Sequence, residues 1–115
     1  MNKIEIHVGE NFDKIAERVA VNWHRAECGE ALQENHINFK DWDVLAKVMS
    51  TKRYQLLRYV HTHPIPSIAA LARALHRGYK RVYDDVQILI SAGLLSNEQG
   101  IVSCNYDIIE SRIFL

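Results

Sequence analysis

Acidic residues are missing from the middle of this chain. Residues 44–83 contain eight Lys or Arg residues and no Asp or Glu. Acidic residues outnumber Lys and Arg on both sides of this block. Residues 1–43 contain nine acidic and five cationic residues, and residues 84–115 contain five acidic residues and one cationic residue. The formal net charge of the whole chain is therefore zero. A basic block of this kind is typical of a surface that meets phosphate, or of a solvated basic face.

Cysteines and long apolar runs are also scarce. Cys28 and Cys104 lie far apart and in no CxxC spacing, which argues against a zinc ribbon or a disulfide framework and favours buried thiols. No apolar run approaches about 18 residues, and residues 1–5 lack the pattern of a signal peptide, so we expect a cytoplasmic protein. The length of 115 residues, with 48% hydrophobic content, suits one domain with a single core.

Catalytic motifs are missing as well. Asp84 and Asp85 are adjacent, and neighbours on a helix point about 100° apart, so the two carboxylates cannot converge on one bond. We predict instead that Asp85 lies towards the core and accepts hydrogen bonds from an arginine or a backbone group. No nucleophile–base arrangement or glycine-rich phosphate loop is visible, so we predict that the chain is not an enzyme and needs no cofactor.

The histidines do not form a metal-binding motif. The candidate ligands are His24, Cys28, His61, His63 and His76. They show no recurring pair spacing of the zinc-finger type, so we predict no metal site. His61 and His63 are expected at the end of a helix, where they interact with exposed carbonyls.

The first third of the chain has the pattern of a strand followed by a helix. Polar and apolar residues alternate from Lys3 to Val8, which predicts a half-buried strand that ends at Gly9. A helix is predicted from Asn11 to Gly29, with apolar positions at helical spacing: Phe12, Ile15, Val19 and Trp23. A polar loop follows, and Asp41 then caps a short helix that carries Trp42 and Leu45 inward.

The middle of the chain has the organisation of a helix-turn-helix. A helix begins at Ser50 or Thr51 and stops before Pro64, because the prolines at 64 and 66 cannot continue it. Ser67 caps a second helix, which the short turn at residues 76–78 separates from a third helix at about Tyr79 to Ala92. This spacing is typical of the DNA-binding motif.

The third helix has one face for the core and one for a partner. At about 100° per residue, Val82, Val86 and Leu89 fall together on the core face. Solvent-facing side chains near the start of such a helix reach base edges, and Lys, Arg and Gln are the types that read guanine and adenine. The predicted DNA-binding residues, phosphate contacts included, are Lys52, Arg53, Ser67, Arg73, Arg77, Tyr79, Lys80, Arg81, Tyr83 and Gln87.

A hairpin is predicted after the third helix. Gly93 ends the helix, and two short apolar runs at 94–97 and 101–104 flank the glycine-bearing connection 98–100. A hairpin in this position makes the motif a winged helix. Its tip carries Glu98 and neither Lys nor Arg, so the wing is expected to have a supporting role at most.

The run Leu71–Val86, with Leu89 and residues 92–95, resembles a family of small bacterial and archaeal winged-helix proteins. The likeness covers roughly residues 39–107, since Phe39–Trp42, Thr51–Arg53 and Leu56-Leu57 also suit the pattern. The family consists of predicted transcriptional regulators and, in many genomes, of antitoxins from toxin-antitoxin operons. It usually has Arg-Asp-Tyr at the turn, where this chain has Arg77-Gly78-Tyr79. The resemblance implies winged-helix DNA binding, autoregulation and a neighbouring toxin as partner.

The predicted fold is α+β, mainly α. It comprises a strand-helix extension at residues 1–40, a winged helix-turn-helix at 41–107 and a C-terminal strand at 108–115. Both end segments are too apolar to remain in water. The C-terminal segment could pair with Lys3–Val8 as a neighbouring strand, within one chain or across two. The two ends therefore either complete the core of a monomer or form a homodimer interface. The predicted interface residues are Ile4, Ile6, Val8, Phe12, Ile15, Val19, Trp23, Ile109 and Ile113.

These patterns together predict a sequence-specific, homodimeric regulator that binds double-stranded DNA. A symmetric dimer would read a pseudo-palindrome with two recognition helices about 34 Å apart. The alternative is a protein-interaction module that neutralises a toxin through its acidic arms, with little DNA binding. Winged helices serve both purposes, so the fold alone does not decide between them.

Overall fold

The computed structural model describes residues 2–10, 16, 17, 20 and 34–115, and these form an α+β fold, as predicted. The elements are β1 (Lys3–Val8), β2 (Glu34–Phe39), α1 (Trp42–Val48), α2 (Thr51–Thr62), α3 (Ile68–Leu75), α4 (Tyr79–Ser91), β3 (Ser96–Glu98), β4 (Ile101–Ser103) and β5 (Ile108–Ile113). They fall into two compact units. The first unit comprises Met1–Leu45 and Ile108–Leu115, and the second comprises Ala46–Asp107.

The first unit contains a parallel sheet with strand order β2-β1-β5. In its register, Ile6 lies opposite Ile37 on one side and Ser111 on the other. Parallel neighbours cannot be joined by a tight hairpin, so long stretches of chain separate these strands in the sequence. The predicted pairing of the C-terminal segment with Lys3–Val8 is confirmed, and it occurs within one chain.

Strand β2 corrects the prediction of a polar loop in this region. Residues 34–39 pair with β1 over their whole length. Ile37 and Phe39 do alternate with polar neighbours, but two apolar residues are a weak strand signal. The hydrogen bonds to β1 stabilise the strand conformation that the local sequence favours only weakly, because pairing satisfies the backbone N–H and C=O groups of β2.

The residues predicted for a dimer interface have different environments in the first unit. Ile4, Ile6 and Val8 are buried within one chain, whereas Ile109 and Ile113 are exposed. Phe12, Ile15, Val19 and Trp23 lie outside the described residues. So does most of the predicted first helix, of which only Ala16, Glu17 and Ala20 are described, and these are helical.

The short helix α1 begins as predicted but presents a different face. Asp41 Oδ1 accepts a hydrogen bond from the backbone N–H of Val44 at 3.0 Å, which is the predicted cap. Leu45 is buried, but Trp42 is exposed, so the predicted inward position of Trp42 is wrong. Trp42 is the first residue of the helix, and seven residues, about two turns, are too few for the apolar spacing to define a face.

The second unit contains three helices that start and end where the sequence predicts. The hydroxyls of Ser50 and Ser67 accept hydrogen bonds from the N–H groups three residues later, at 3.3 and 3.1 Å. Helix α2 ends at Thr62, and α4 ends at Ser91 before Gly93, which has φ +86°. The fully buried side chains of this unit are Leu56, Val60, Leu71, Val82, Val86, Leu89, Leu94 and Val102.

Strands β3 and β4 form the predicted hairpin. The turn residues Gln99 and Gly100 both have positive φ, 53° and 85°, which fits the twist of a two-residue hairpin turn. Ile65, between the two prolines, exchanges backbone hydrogen bonds with Val102 of β4 at 3.0 and 2.8 Å. The connection between α2 and α3 therefore does more than break the helix, because it also anchors the hairpin.

Candidate nucleic-acid interface

Helix α4 has a buried face and an exposed cationic start. Val82, Val86 and Leu89 are fully buried, as the helical projection predicts. At the start of the helix, Tyr79 is 55% exposed, and the Lys80 side chain is 88% exposed. Arg81 is also exposed, and the first turn contains no acidic residue. The start of the helix therefore presents cationic side chains on the face that does not pack against the core.

The turn between α3 and α4 depends on a left-handed histidine. His76 has φ 55° and ψ 45°, and the N–H of Arg77 donates to the Ala72 carbonyl at 3.0 Å. Gly78, the glycine of this turn, has a φ of −64°, which is open to any side chain. A Cβ atom added at Gly78 would meet nothing within 4 Å. The backbone at the start of α4 is therefore unobstructed.

An open cleft lies beside this turn. Its volume is about 560 Å³, and its lining residues are Ala69, Ala72, Arg73, His76, Arg77 and Tyr79. Three of the residues predicted to bind DNA, Arg73, Arg77 and Tyr79, thus come together from α3, the turn and α4. Cationic and aromatic side chains around an open cleft suit a polyanion with flat bases.

Asp85 fastens α4 to the rest of the second unit. Its Oδ1 accepts a hydrogen bond from Arg53 Nε at 3.1 Å, and its Oδ2 accepts one from Arg77 Nη2 at 2.7 Å. Arg53 also donates to the Lys47 carbonyl. The prediction that Asp85 lies towards the core and pairs with an arginine is confirmed. Because both arginines are committed to this carboxylate, their geometry favours positioning of α4 over contact with phosphate.

The family of the chain follows from its sequence match. The model of the HVO_A0114 family matches residues 48–111, more than half of the chain. The chain belongs to the HVO_A0114 family. The match covers the second unit almost completely, together with the first residues of β5. The family designation states no activity. No curated protein and no solved structure matches the chain.

In this member of the HVO_A0114 family, the other residues predicted to bind DNA have mixed environments. Lys52 is exposed in the first turn of α2, and Tyr83 is 42% exposed, with its ring centroid 6.1 Å from that of Tyr79. Gln87 is half-buried, so it is less accessible than the start of the helix. The Ser67 hydroxyl already accepts the capping hydrogen bond, which leaves its own O–H to donate.

His61 and His63 lie at the end of helix α2, as expected. His63 Nδ1 lies 3.2 Å from the Tyr59 carbonyl, and its ring stacks on the Tyr59 ring at 4.5 Å. His61 lies between the Cys104 carbonyl and the Asp107 carboxylate, each at 3.4 Å. Among the described residues, these histidines do not converge with a third ligand.

The charge of the chain is divided between its two units. The second unit has eight Lys or Arg residues against four Asp or Glu residues, a formal net charge of +4, and the first unit has −4. The cationic unit is the one that contains α4 and the cleft. None of the described helices is long and apolar enough to cross a membrane.

Proposed function

We propose that the chain is a sequence-specific, DNA-binding transcriptional regulator with a winged helix-turn-helix in its second unit. Helices α3 and α4 are the helix-turn-helix, α4 is the recognition helix, and the β3–β4 hairpin is the wing. The observation that carries this proposal is the exposed start of α4, where Tyr79, Lys80 and Arg81 lie on a helix whose opposite face is fully buried. Side chains at this end of a recognition helix reach base edges in the major groove.

The remaining contacts divide into phosphate binding and support. Lys52 and Arg73 are exposed cations, and with Ser67 they are assigned to phosphates. Arg53 and Arg77 are assigned to the positioning of α4, because both bind Asp85. Lys80 forms a weak exposed pair with Asp84 at 3.8 Å, which phosphate or guanine can displace at little cost. The wing tip carries Glu98 and contributes little attraction to DNA.

The regulator acts as a homodimer on a pseudo-palindromic site in the cytoplasm of a prokaryotic cell, without catalysis. Exposed apolar residues on β5 support a second copy as partner. Two copies of α4 about 34 Å apart would read one site in successive major grooves. By the family likeness of its turn and third helix, the chain represses its own operon, which encodes a toxin.

DNA binding is tested by fluorescence anisotropy with the DNA upstream of the chain's own gene and with a scrambled duplex. We expect the parent chain to bind the upstream DNA more tightly than the scrambled duplex. The Lys80→Glu/Arg81→Glu variant should fold but lose this preference. Removal of Lys52 or Arg73 should weaken binding to both duplexes and make the log–log salt slope shallower by about one unit each.

The matched control is Lys40→Glu/Lys47→Glu, which changes the net charge equally at two exposed lysines outside α4. It should retain the preference for the upstream DNA. Circular dichroism verifies that both double variants are folded. Retained specific binding by the folded α4 variant would contradict the assignment of α4 as the recognition helix.

Neutralisation of a toxin by protein contact is the second candidate function. The exposed apolar side chains of Ile108, Ile109, Ile113 and Phe114 favour it, because they offer a surface for a protein partner as well as for a second copy. Coexpression with the product of the neighbouring gene distinguishes the two functions. A complex that the folded α4 variant retains, together with no specific DNA binding by the parent chain, would support this second function.

A further inference from the structure

Three side chains of the first unit bring potential metal ligands together on one face of the sheet. The parallel register of β1 and β2 places Glu5 opposite His36. His7 lies two residues after Glu5 and therefore on the same face of β1. His7 Nε2 is 3.0 Å from His36 Nδ1 and 3.1 Å from Glu5 Oε1. All three ligand atoms lie within 4.8 Å of one another.

These distances are close to those in an occupied site. Zinc binds histidine nitrogen at about 2.0–2.1 Å and carboxylate oxygen at about 2.0–2.2 Å, so tetrahedral ligand atoms lie about 3.3 Å apart. The two separations from His7 Nε2, 3.0 and 3.1 Å, need to open by only a few tenths of an ångström to accept an ion. Two histidines and one carboxylate leave one coordination position for water or another ligand.

The tautomer of His7 makes Nε2 the atom that can bind a metal ion. His7 Nδ1 lies 3.0 Å from Glu10 Oε2, and an ionised carboxylate can only accept, so Nδ1 carries a proton. In a neutral His7, the lone pair of Nε2 then faces the lone pairs of Glu5 Oε1. Glu5 Oε1 also lies 3.3 Å from Arg112 Nε, whose charge offsets part of the repulsion between these two acceptors. A metal ion bound to both atoms would replace that repulsion with two coordination bonds.

His36 supplies the third ligand atom. Without a metal ion, the Nδ1–H group of His36 can donate to His7 Nε2, whereas one metal ion would bind both nitrogens and Glu5 Oε1 together. Glu10 behind His7 also has the arrangement of a carboxylate that orients a metal-binding histidine. His7 is only 2% exposed, whereas Glu5 and His36 are half-buried, so the cluster is partly shielded from water.

We propose that Glu5, His7 and His36 bind one divalent transition-metal ion, with Zn²⁺ as the preferred ion and Glu10 as the residue that orients His7. The ion joins β1 to β2, and it stabilises the folded chain in proportion to the logarithm of its free concentration above Kd. This site is independent of the proposed DNA binding, since no residue of α3 or α4 belongs to it. Glu5 and His7 have the alternate spacing of a strand face, but His36 comes from a strand that the sequence did not predict.

The experiment titrates the full chain, freed of metal by dialysis against a chelator, with Zn²⁺ in a calorimeter and with Co²⁺ in a spectrophotometer. We expect one ion per chain and the visible absorption of four-coordinate Co²⁺. Glu10→Gln should weaken binding roughly 10- to 100-fold, the usual effect of losing such a supporting carboxylate. Glu5→Gln and His36→Gln should weaken it more, since each removes a ligand.

Substitution of the buried His7 risks unfolding, so the test relies on Glu5 and His36, with circular dichroism to verify folding. The matched control is His61→Gln/His63→Gln, which removes two histidines of the second unit and should leave binding unchanged. The proposal is overturned if the folded parent chain binds neither ion. It is also overturned if the folded Glu5→Gln and His36→Gln variants bind Zn²⁺ and Co²⁺ as tightly as the parent chain does.

Discussion

Asp85 is the residue on which the geometry of the proposed recognition helix depends. Its two carboxylate oxygens bind arginines from two different segments, Arg53 at the start of α2 and Arg77 in the turn before α4. The Asp85 side chain is nearly buried, so its negative charge is stabilised by these two partners and little by water. Its neighbour Asp84 is exposed and forms a long ion pair with Lys80 at 3.8 Å.

The first prediction compares these two adjacent carboxylates. Asp85→Asn should reduce the free energy of unfolding by about 3 kcal/mol, because it leaves two partly buried guanidinium groups without their counter-charge. Asp84→Asn should change it by less than about 0.5 kcal/mol. Urea unfolding curves followed by circular dichroism measure both values. Equal effects of the two substitutions would mean that Asp85 does not fasten α4.

The second prediction concerns Cys104. Burial raises the pKa of its thiol above the ordinary value, the backbone hydrogen bond to Tyr106 partly opposes this, and the charge of Asp107 adds to it. Less thiolate is then present at a given pH, so in a Cys28→Ser background Cys104 should be alkylated more slowly at pH 8 in the folded chain than in denaturant. The folded state favours the neutral thiol, so this group's contribution to stability is complete below the ordinary pKa and is lost as the pH rises through the raised one. Equal alkylation rates in the two states would contradict the shift.

At the scale of the element, the start of α4 is open to a ligand. Helices α2 and α3 begin with serine side chains that cap their first N–H groups, whereas α4 begins at Gly78 with no side-chain cap. The free N–H groups and the positive end of the helix dipole add to the cations that follow. A phosphate at this point would be attracted by both.

The third prediction uses Gly78 to separate stability from DNA binding. Asn and Asp cap helices about equally well, and the backbone at Gly78 has space for either, so both substitutions should raise the free energy of unfolding by a few tenths of a kcal/mol. Gly78→Asp should weaken DNA binding strongly, because its carboxylate repels phosphate, and Gly78→Asn should weaken it less. Thermal melts and anisotropy titrations measure the two effects. Identical DNA affinities of the two variants would exclude close approach of phosphate to this end of α4.

At the scale of the whole molecule, the first unit offers an edge strand with apolar residues. Strand β5 lies at one edge of the sheet order β2-β1-β5, and Ile109 and Ile113 on it are exposed. Phe114, directly after the strand, is exposed as well. Exposed apolar edge strands are uncommon unless they pair with another chain.

The fourth prediction is that the full-length chain dimerises through β5. Sedimentation at micromolar concentration should give a dimer, and Ile113→Lys should give a folded monomer. The matched control is Ile101→Lys, since Ile101 is 48% exposed, as Ile113 is, but lies on the hairpin of the second unit. A monomeric parent chain, or a dimer that Ile113→Lys leaves intact, would contradict this interface.

The sequence by itself determined the elements of the second unit and the division of charge. Capping serines, prolines and helical spacing act within a few residues, so the three helices and the hairpin could be predicted with nearly their observed bounds. The same local projection placed Asp85 on the core side of α4.

Only the tertiary structure decided which groups meet across long stretches of sequence. Arg53 and Arg77 were predicted as phosphate contacts, because an arginine in a basic block gives no sign of a carboxylate 32 or eight residues away. Strand β2 and the convergence of Glu5, His7 and His36 depend on hydrogen bonds to β1, and such pairing between distant segments leaves only a weak local pattern. Local sequence therefore determined where helices begin and end, and long-range pairing determined which charged side chains bind one another.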